Sequence, residues 1–259
     1  IYMGDWSSDV CSSDLILALL ASVEMHAIQT SGNCIRNVTA DHLAGIAPDE
    51  LEDPRPWCEY IRQWATLHPE FSFLPRKFKI AVTGSPQDRA ASKVHDIGLH
   101  LVRNEHGEVG FQVLVGGGLG RTPMIGHVIR EFLPKRDLLS YLEAILRVYN
   151  LEGRRDNIHK ARIKILVKAV GPEKFREMAE AEWLASRDTA PVYDEAEVER
   201  IKAFFVPPAY ASLSDLDVLS GKPAEFRNWY QRNTKRHKVP GYRAVFYMEI
   251  GRASCRERV

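Results

Sequence analysis

The chain has 259 residues, a formal net charge of +1 and 27% charged residues. Such a nearly balanced charge argues against a globally basic protein that binds nucleic acid. Hydrophobic residues make up 45% of the sequence, which is enough for a packed core, and the length allows one large domain or slightly more.

The two ends of the chain follow no helix or strand period. Residues 11–15 and 249–253 can be back-translated into reverse complements over about thirteen nucleotides, as a translated sequencing adapter would be. We therefore expect residues 1–15 and 249–259 to be adapter-derived, with natural tails as the alternative. The native segment, truncated at both ends, then spans about residues 16–248.

Two cysteines remain once these ends are set aside, Cys34 and Cys58. At this spacing they make neither a disulfide framework nor a zinc site, and alone they cannot hold an iron–sulfur cluster, which takes four thiolates. The histidines show no zinc-type spacing, so no metal site is assigned to this chain. The cysteine usage predicts a reducing, cytoplasmic compartment.

The apolar run at residues 15–21 is too short to span a bilayer and has no basic segment before it. It is typical of the buried end of a helix, which we expect over residues 16–27. No membrane association is predicted.

An extended segment and a helix come next. The extended segment covers residues 34–38 and carries Arg36, and a lone arginine of this kind is most often a surface residue. Apolar residues at helical spacing predict a helix over residues 54–67, with Asp53 as its cap.

The most informative stretch is residues 74–80, where three cations follow a proline and precede an apolar run. On a strand, Lys77 and Lys79 would point to one side, and Arg76 and Phe78 to the other. Two ammonium groups side by side repel each other, so a bound anion is a natural partner. The alternative is a solvated edge strand, in which lysines discourage pairing with another chain.

A β-hairpin is predicted next, with alternating apolar residues over 97–101 and 109–115 and a turn at residues 104–107. His100, opposite the apolar positions, is expected to face solvent. The second strand leads into a loop at residues 116–120.

Three consecutive glycines begin this loop: Gly116, Gly117 and Gly118. They let the backbone approach a ligand closely and could present amide groups to an anion. The loop lacks the Gly-Lys-Ser/Thr ending of a nucleotide-binding P-loop. A plain β-turn is the alternative.

The following part of the chain is predicted to be helical over residues 137–149, 154–170 and 173–185. Lys160, Lys164 and Lys168 recur every four residues, which usually indicates a solvated helix face. Strand, hairpin and helices in this order predict an α+β fold, in which helices cover a mainly antiparallel or mixed sheet.

Four segments in this order resemble the sirohaem-dependent nitrite and sulfite reductase family: residues 30–39, 74–79, 110–119 and 155–164. The resemblance runs from about residue 21 to residue 171, and more loosely to residue 248. It implies a sirohaem-binding reductase domain over residues 16–186. A linker with short helices over 187–240, rich in proline and acidic residues, would lead to the first strand of a ferredoxin-like α/β half at 241–248.

Members of this family carry out the six-electron reduction of sulfite or nitrite at sirohaem, which a cysteine thiolate couples to a 4Fe–4S cluster. The resemblance implies that Arg36, Lys77 and Lys79 are catalytic cations that bind the anion and supply protons, and that they also contact the cofactor. Arg76 would pair with the sirohaem carboxylates.

Further cofactor contacts are implied for Gly116, Gly117 and Gly118, and for Arg162 and Lys164. The last two are carried over although the spacing around residues 157–160 departs from the family pattern. The four cysteines that bind the cluster are expected outside this chain. The chain alone is therefore expected to bind sirohaem poorly and to have no reductase activity.

Several alternatives stay open. The resemblance does not distinguish sulfite from nitrite or exclude a related oxygen-using branch in cobalamin synthesis, and the electron donor would be a ferredoxin or a flavoprotein. A phosphate- or nucleotide-binding enzyme could use the Gly116–Gly120 loop. An RNA-binding module could use Lys77 and Lys79, but the sequence lacks interleaved aromatic residues and overall basicity.

Overall fold

The computed structural model describes residues 12–27, 29, 32–214 and 219–245. The helices in these ranges are α1 (Ser12–Ser22), α2 (Arg55–Ala65), α3 (Leu138–Glu152), α4 (Ile163–Val170), α5 (Pro172–Ser186), α6 (Glu195–Ala203) and α7 (Ala224–Asn233). The strands are β1 (Ile35–Thr39), β2 (Phe78–Thr83), β3 (Ile97–Arg103), β4 (Val109–Val115), β5 (His127–Pro134), β6 (Thr234–Arg236) and β7 (Arg243–Val245). None of the described helices is long and apolar enough to cross a membrane.

Strands β1 to β5 form one mixed sheet in chain order. β1, β2 and β3 run parallel, with Asn37 beside Lys79 and Ile80 beside Ile97. β3 and β4 form the predicted antiparallel hairpin, and β5 pairs antiparallel with β4. The predicted α+β fold with a mixed sheet is confirmed.

Helices α2 and α3 pack on one face of this sheet. Phe78 of β2 and Phe111 of β4 are fully buried there. The Phe78 ring centroid lies 5.4 Å from that of Tyr149 on α3, and the Phe111 ring meets Trp57 of α2 edge-to-face at 5.3 Å. Because alternate residues of a strand point to opposite faces, this packing turns Lys79 away from the helices.

Helix α2 begins one residue later than predicted. Pro54 lies just before its first turn, and the Asp53 carboxylate accepts a hydrogen bond of 2.9 Å from the backbone N–H of Arg55. Asp53 thus satisfies one of the N–H groups that a helix start leaves without an internal partner.

The helix predicted over residues 154–170 forms only from Ile163 onward. In the segment before it, Arg154 pairs with Asp156, and the Asn157 side chain accepts a hydrogen bond from the backbone N–H of His159. These local bonds give the backbone an alternative to helical hydrogen bonding, which explains the late start.

Strand β5 has no counterpart among the predicted elements. It lies at the edge of the sheet, where Ile129 and Leu133 are buried but Val128 exposes 39% of its surface. An edge strand buries few side chains, so its sequence shows only a weak alternation.

The apolar residues of α1 are exposed, contrary to the prediction: Leu15 and Leu19 expose 61% and 69% of their surface. No described strand or helix covers this run, so it has no apolar surface to pack against. Residues 12–15 of this helix belong to the adapter-like start, whereas residues 1–11 and 249–259 lie outside the described residues.

Part of the segment predicted as a linker joins the core. Helix α6 buries Val198 and Ile201 within the main hydrophobic cluster and packs against α2. Further on, β6 and β7 form an antiparallel pair. The strand predicted at residues 241–248 forms over Arg243–Val245, and residues 246–248 lie outside the described residues.

Candidate functional site

A cavity of about 720 Å³ opens at the amino ends of β1 and β2. The parallel pairing of these strands aligns Ile35 with Phe78 and Asn37 with Lys79, which brings Arg36 close to both lysines. The cavity is lined by Glu24, Met25, His26, Gln29, Arg36, Asn37, Arg62, Lys77 and Lys79.

The structure brings together the three residues predicted to be catalytic cations. The Nε of Arg36 donates to the carbonyl of Gly32 at 3.0 Å, and no carboxylate in the described part of the chain pairs with Arg36. The ammonium groups of Lys77 and Lys79 likewise make no ion pair or hydrogen bond with the described residues. The cavity therefore presents cationic charge that the protein itself leaves unbalanced.

The pKa of Lys77 lies below the usual lysine range. Loss of hydration is the largest cause, and neighbouring cations add to it: Arg36, Arg76, Lys79 and Arg162. Both effects disfavour the ammonium form. An anion in the cavity would counter the effect of the neighbouring cations on Lys77, because its negative charge would offset theirs.

Arg76 is not among the residues that line the cavity and lies just before β2. It is close enough to depress the pKa of Lys77, but its guanidinium bonds to none of the described residues. Phe78, which was expected to share its side, is fully buried in the core.

Arg162 is held by a buried carboxylate that the sequence analysis does not identify. Its Nε and Nη2 both donate to Oδ1 of Asp96, at 3.1 and 2.7 Å. The other oxygen of Asp96 accepts a hydrogen bond of 3.0 Å from the backbone N–H of Lys79. An aspartate directly before an apolar strand is the only signal in the sequence, and it also fits an ordinary turn.

Lys164 is buried, which contradicts the solvated helix face predicted from the lysine spacing. Its ammonium donates to the carbonyls of Leu119 and Thr122 at 2.9 and 2.6 Å, and burial lowers its pKa. Lys168 on the same helix and Lys160 before it are exposed. The late start of α4 explains the error, because Lys160 lies outside the helix.

The three glycines of the loop are packed against the protein. The N–H groups of Gly116 and Gly118 donate to the carbonyls of Asp96 and Met124, both at 3.0 Å. A Cβ at Gly117 would lie 2.5 Å from the carbonyl oxygens of Lys93 and His95. Close approach of backbone thus explains Gly117, whereas Gly116 and Gly118 lie against the side chains of Val167 and Lys164. Two of the three amides are already engaged, which does not favour a phosphate cradle.

His100 is half-buried rather than solvent-facing. Its Nε2 lies 2.5 Å from the hydroxyl of Ser92, and burial lowers its pKa. The 3-10 turn at Ser92–Val94 covers this face of the sheet and shields the ring.

Sequence reasoning misses five polar residues of the cavity wall: Glu24, His26, Gln29, Asn37 and Arg62. Asn37 follows Arg36 on β1, and Arg62 comes from α2, where it pairs with Glu59 at 2.6 Å. None of them stands in a charge run, so only the folded arrangement reveals them.

Known proteins similar to this chain share one activity class. The family model described as the nitrite and sulphite reductase 4Fe-4S domain matches residues 31–186. Sulfite reductase (ferredoxin) 1 of Mycolicibacterium paratuberculosis is 38% identical over 169 residues, which are 65% of this chain and 30% of that protein. The chloroplastic ferredoxin–nitrite reductase of Arabidopsis thaliana is 31% identical over 166 residues, or 62% of this chain and 28% of that protein.

A solved structure agrees with these similarities. The Mycobacterium tuberculosis NirA protein matches with a TM-score of 0.61 at 33% identity, over 70% of this chain and 32% of that one. The chain thus spans about a third of the length of the relatives it matches.

Proposed function

The chain belongs to the nitrite and sulphite reductase family, and on this basis we propose that it forms the cationic wall of a site that reduces sulfite or nitrite. The observation that carries the proposal is the cluster of Arg36, Lys77 and Lys79 on the cavity wall, none of which pairs with a carboxylate of the described residues. Bringing such cations together costs free energy unless an anion binds between them.

The described residues fit sirohaem. Its carboxylates suit a cavity whose wall carries unpaired cations, since ion pairs with carboxylates are strong where water is excluded. Arg36, Lys77 and Lys79 would hold it from inside the cavity, and Arg76, which is close enough to affect Lys77, would pair with its carboxylates. When bound, sirohaem supplies the iron at which the anion gains electrons. Arg162 is already paired with Asp96, and Lys164 already donates to two backbone carbonyls. These two residues would therefore contribute to cofactor binding by shaping the cavity wall.

The described residues do not fit a 4Fe–4S cluster, which takes four thiolates. Within the described ranges no group of three or more potential metal ligands occurs. Cys58 is buried in the hydrophobic core, where burial raises the pKa of its thiol to about 12. We propose that the cluster's cysteines come from polypeptide beyond the described residues.

The three cations have different roles in this proposal. Lys77 can donate a proton to the anion, because its lowered pKa makes it a stronger acid than an ordinary lysine. Lys79, which lines the same cavity, stabilises the negative charge that develops on the anion oxygen. Arg36 serves as a fixed clamp, because its planar guanidinium can hold an oxyanion through two N–H groups.

The electron donor we propose is a ferredoxin, because the names of several relatives specify one. We also propose that residues 16–186 form the reductase domain, which the match over residues 31–186 supports. The choice between sulfite and nitrite stays open, since relatives of both kinds are similar to this chain.

The test uses the complete gene product that contains this segment, purified with its cofactors. We expect tetrapyrrole absorption, reduction of sulfite or nitrite by reduced ferredoxin, and four cysteines in the added sequence. Lys77→Ala or Lys79→Ala should lower kcat/KM for the anion by about a hundredfold. Lys168→Ala, a matched exposed lysine, should leave it unchanged. A protein without tetrapyrrole absorption would disprove the proposal.

A further inference from the structure

Asp96 lies at the junction of the elements that build the cation site. It immediately precedes β3 and is fully buried. The Oδ2 atom accepts from the Lys79 backbone on β2, and Oδ1 accepts from Arg162 just before α4. Its own carbonyl accepts a hydrogen bond of 3.0 Å from Gly116. One residue thus connects β2, β3, α4 and the glycine loop.

We propose that Asp96 is a positioning residue of the anion site, whose carboxylate holds the Lys79 backbone and the Arg162 guanidinium in one fixed arrangement behind the cavity wall. This inference rests on the proposed function, since it concerns how that site keeps its cations in place. It adds a residue that neither lines the cavity nor contacts the anion.

Asp96 fixes the backbone at the start of β2. Lys79 is the second residue of β2, where a strand end could fray. The parallel pairing of β2 with β3 begins at Ile80 and Ile97, so Asp96 extends the contact by one residue with its side chain. The backbone of Lys79 is therefore fixed at the point where its side chain enters the cavity.

Asp96 also affects the charge around Lys77 through Arg162. Arg162 is one of the cations that lower the pKa of Lys77. With two of its N–H groups on one oxygen of Asp96, its charge is balanced by a buried carboxylate. Burial raises the pKa of Asp96, and the two bonds from Arg162 oppose that rise. Without this carboxylate the surroundings of Lys77 would become more positive. The protonated form of Lys77 would then be less favourable.

Other charged or titratable groups also interact with Asp96. His95 favours its ionised carboxylate, Tyr149 faces it from α3, and Lys164 on α4 interacts with its charge. Around Lys77 the remaining cations are Arg36, Arg76 and Lys79. The buried Asp96 carboxylate is thus connected to this cation cluster twice, through the Lys79 backbone N–H and through the Arg162 guanidinium.

The test follows the lysine side chains by NMR in the ligand-free 259-residue chain, so its outcome does not depend on any reductase activity. Asp96→Asn should lower the pKa of Lys77 by about 0.5 units, because it removes a negative charge near a cationic cluster. Arg162→Gln should raise it by a similar amount, because it leaves the Asp96 charge unbalanced. These opposite shifts are not expected of a residue that only supports the fold.

Asp88→Asn is the matched control. Asp88 lies on the same segment and also accepts backbone hydrogen bonds, from Ser92 and Lys93 at 2.9 and 3.2 Å. It should leave the titration of Lys77 unchanged. Asp96→Glu keeps the charge but displaces the carboxylate, so the Lys77 titration should stay near wild type while hydrogen exchange at the Lys79 amide speeds up at least tenfold.

Equal Lys77 titrations in wild type, Asp96→Asn and Arg162→Gln would overturn the inference. So would an Asp88→Asn shift as large as that of Asp96→Asn. If Asp96→Asn does not fold, the Arg162→Gln and Asp96→Glu measurements decide the matter. Failure of the reductase test with these shifts present would disprove the proposed function alone.

Discussion

Single residues show how burial overrides what a charge pattern predicts. Lys164 has the spacing of a solvated helix face, yet its ammonium is buried and donates to two carbonyls of the 116–126 loop. Its side chain also packs on Gly118, where a Cβ would lie 2.8 Å from Lys164 Cδ. Lys164 therefore holds the loop against α4.

Replacing Lys164 with methionine should destabilise the protein by about 1–3 kcal/mol, because two hydrogen bonds from a charged group to loop carbonyls are lost. Urea unfolding followed by circular dichroism would measure the change. Lys168→Met on the same helix should change stability by less than about 0.5 kcal/mol, since this lysine is exposed. Equal effects of the two substitutions would contradict the role assigned to Lys164.

The carboxyl group of Glu50 should make the stability of the protein depend on pH. Both of its carboxylate oxygens accept from the backbone N–H of Gly45, at 2.8 and 3.0 Å. Burial is the largest cause that raises its pKa, to about 7, and the charges of Asp53 and Asp41 add to it. A carboxyl group whose pKa is raised by folding stabilises the protein only while it is protonated.

The stability contributed by Glu50 should therefore be present below pH 4.5 and be lost as the pH rises to about 7. Glu50→Gln should remove this dependence and stabilise the protein at pH 8 by about 1–2 kcal/mol, allowing for partial exposure. Thermal unfolding across this pH range would show it. The control Glu105→Gln, at an exposed turn, should behave like wild type at every pH.

At the scale of elements, the alternation of apolar and polar residues predicts a strand where the two faces of that strand meet different surroundings. The hairpin of β3 and β4 and the alternation around Phe78 follow from the sequence, because buried and exposed positions differ in polarity. Strand β5 cannot be predicted in this way, because an edge strand buries little apolar surface. The helix at 154–162 does not form, because local side-chain bonds compete with it.

The contact between the glycine loop and the Ser92–Val94 turn offers a direct test of packing between elements. Gly117→Ala should destabilise the protein by about 2 kcal/mol or more, because the new methyl group would lie 2.5 Å from two backbone carbonyls. Gly126→Ala on the same loop has its nearest atoms at 3.4 Å and should be tolerated. Chemical denaturation of both variants gives the comparison, and equal stabilities would show that the loop can move aside.

At the scale of the whole molecule, the sequence identifies the cations of the site but not how they are held. Arg36 lies in a different segment from Lys77 and Lys79. Only the resemblance to one family predicts, before the fold is known, that the three residues share a site. Asp96 escapes that reasoning, because its role depends on two partners 17 and 66 residues away along the chain. Such contacts exist only once the sheet and α4 are assembled.

The cysteine content leads to a prediction for the chain as a whole. With sirohaem and a chemical reductant added, the 259-residue chain should produce sulfide or ammonia no faster than a protein-free control, because its described residues supply no set of four thiolates. Adding a polypeptide that carries such a set is expected to be necessary for turnover. Activity of the chain by itself would refute this.

The parallel arrangement of β1 to β3 separates the cavity from the hairpin turn. The cations lie at the amino ends of β1 and β2, whereas the turn at residues 104–107 comes after all 7 residues of β3. At about 3.3 Å per residue this is a separation of roughly 20 Å. The turn is therefore a suitable attachment point for a fluorescent label or a surface tether, which would leave the mouth of the cavity open to ligands.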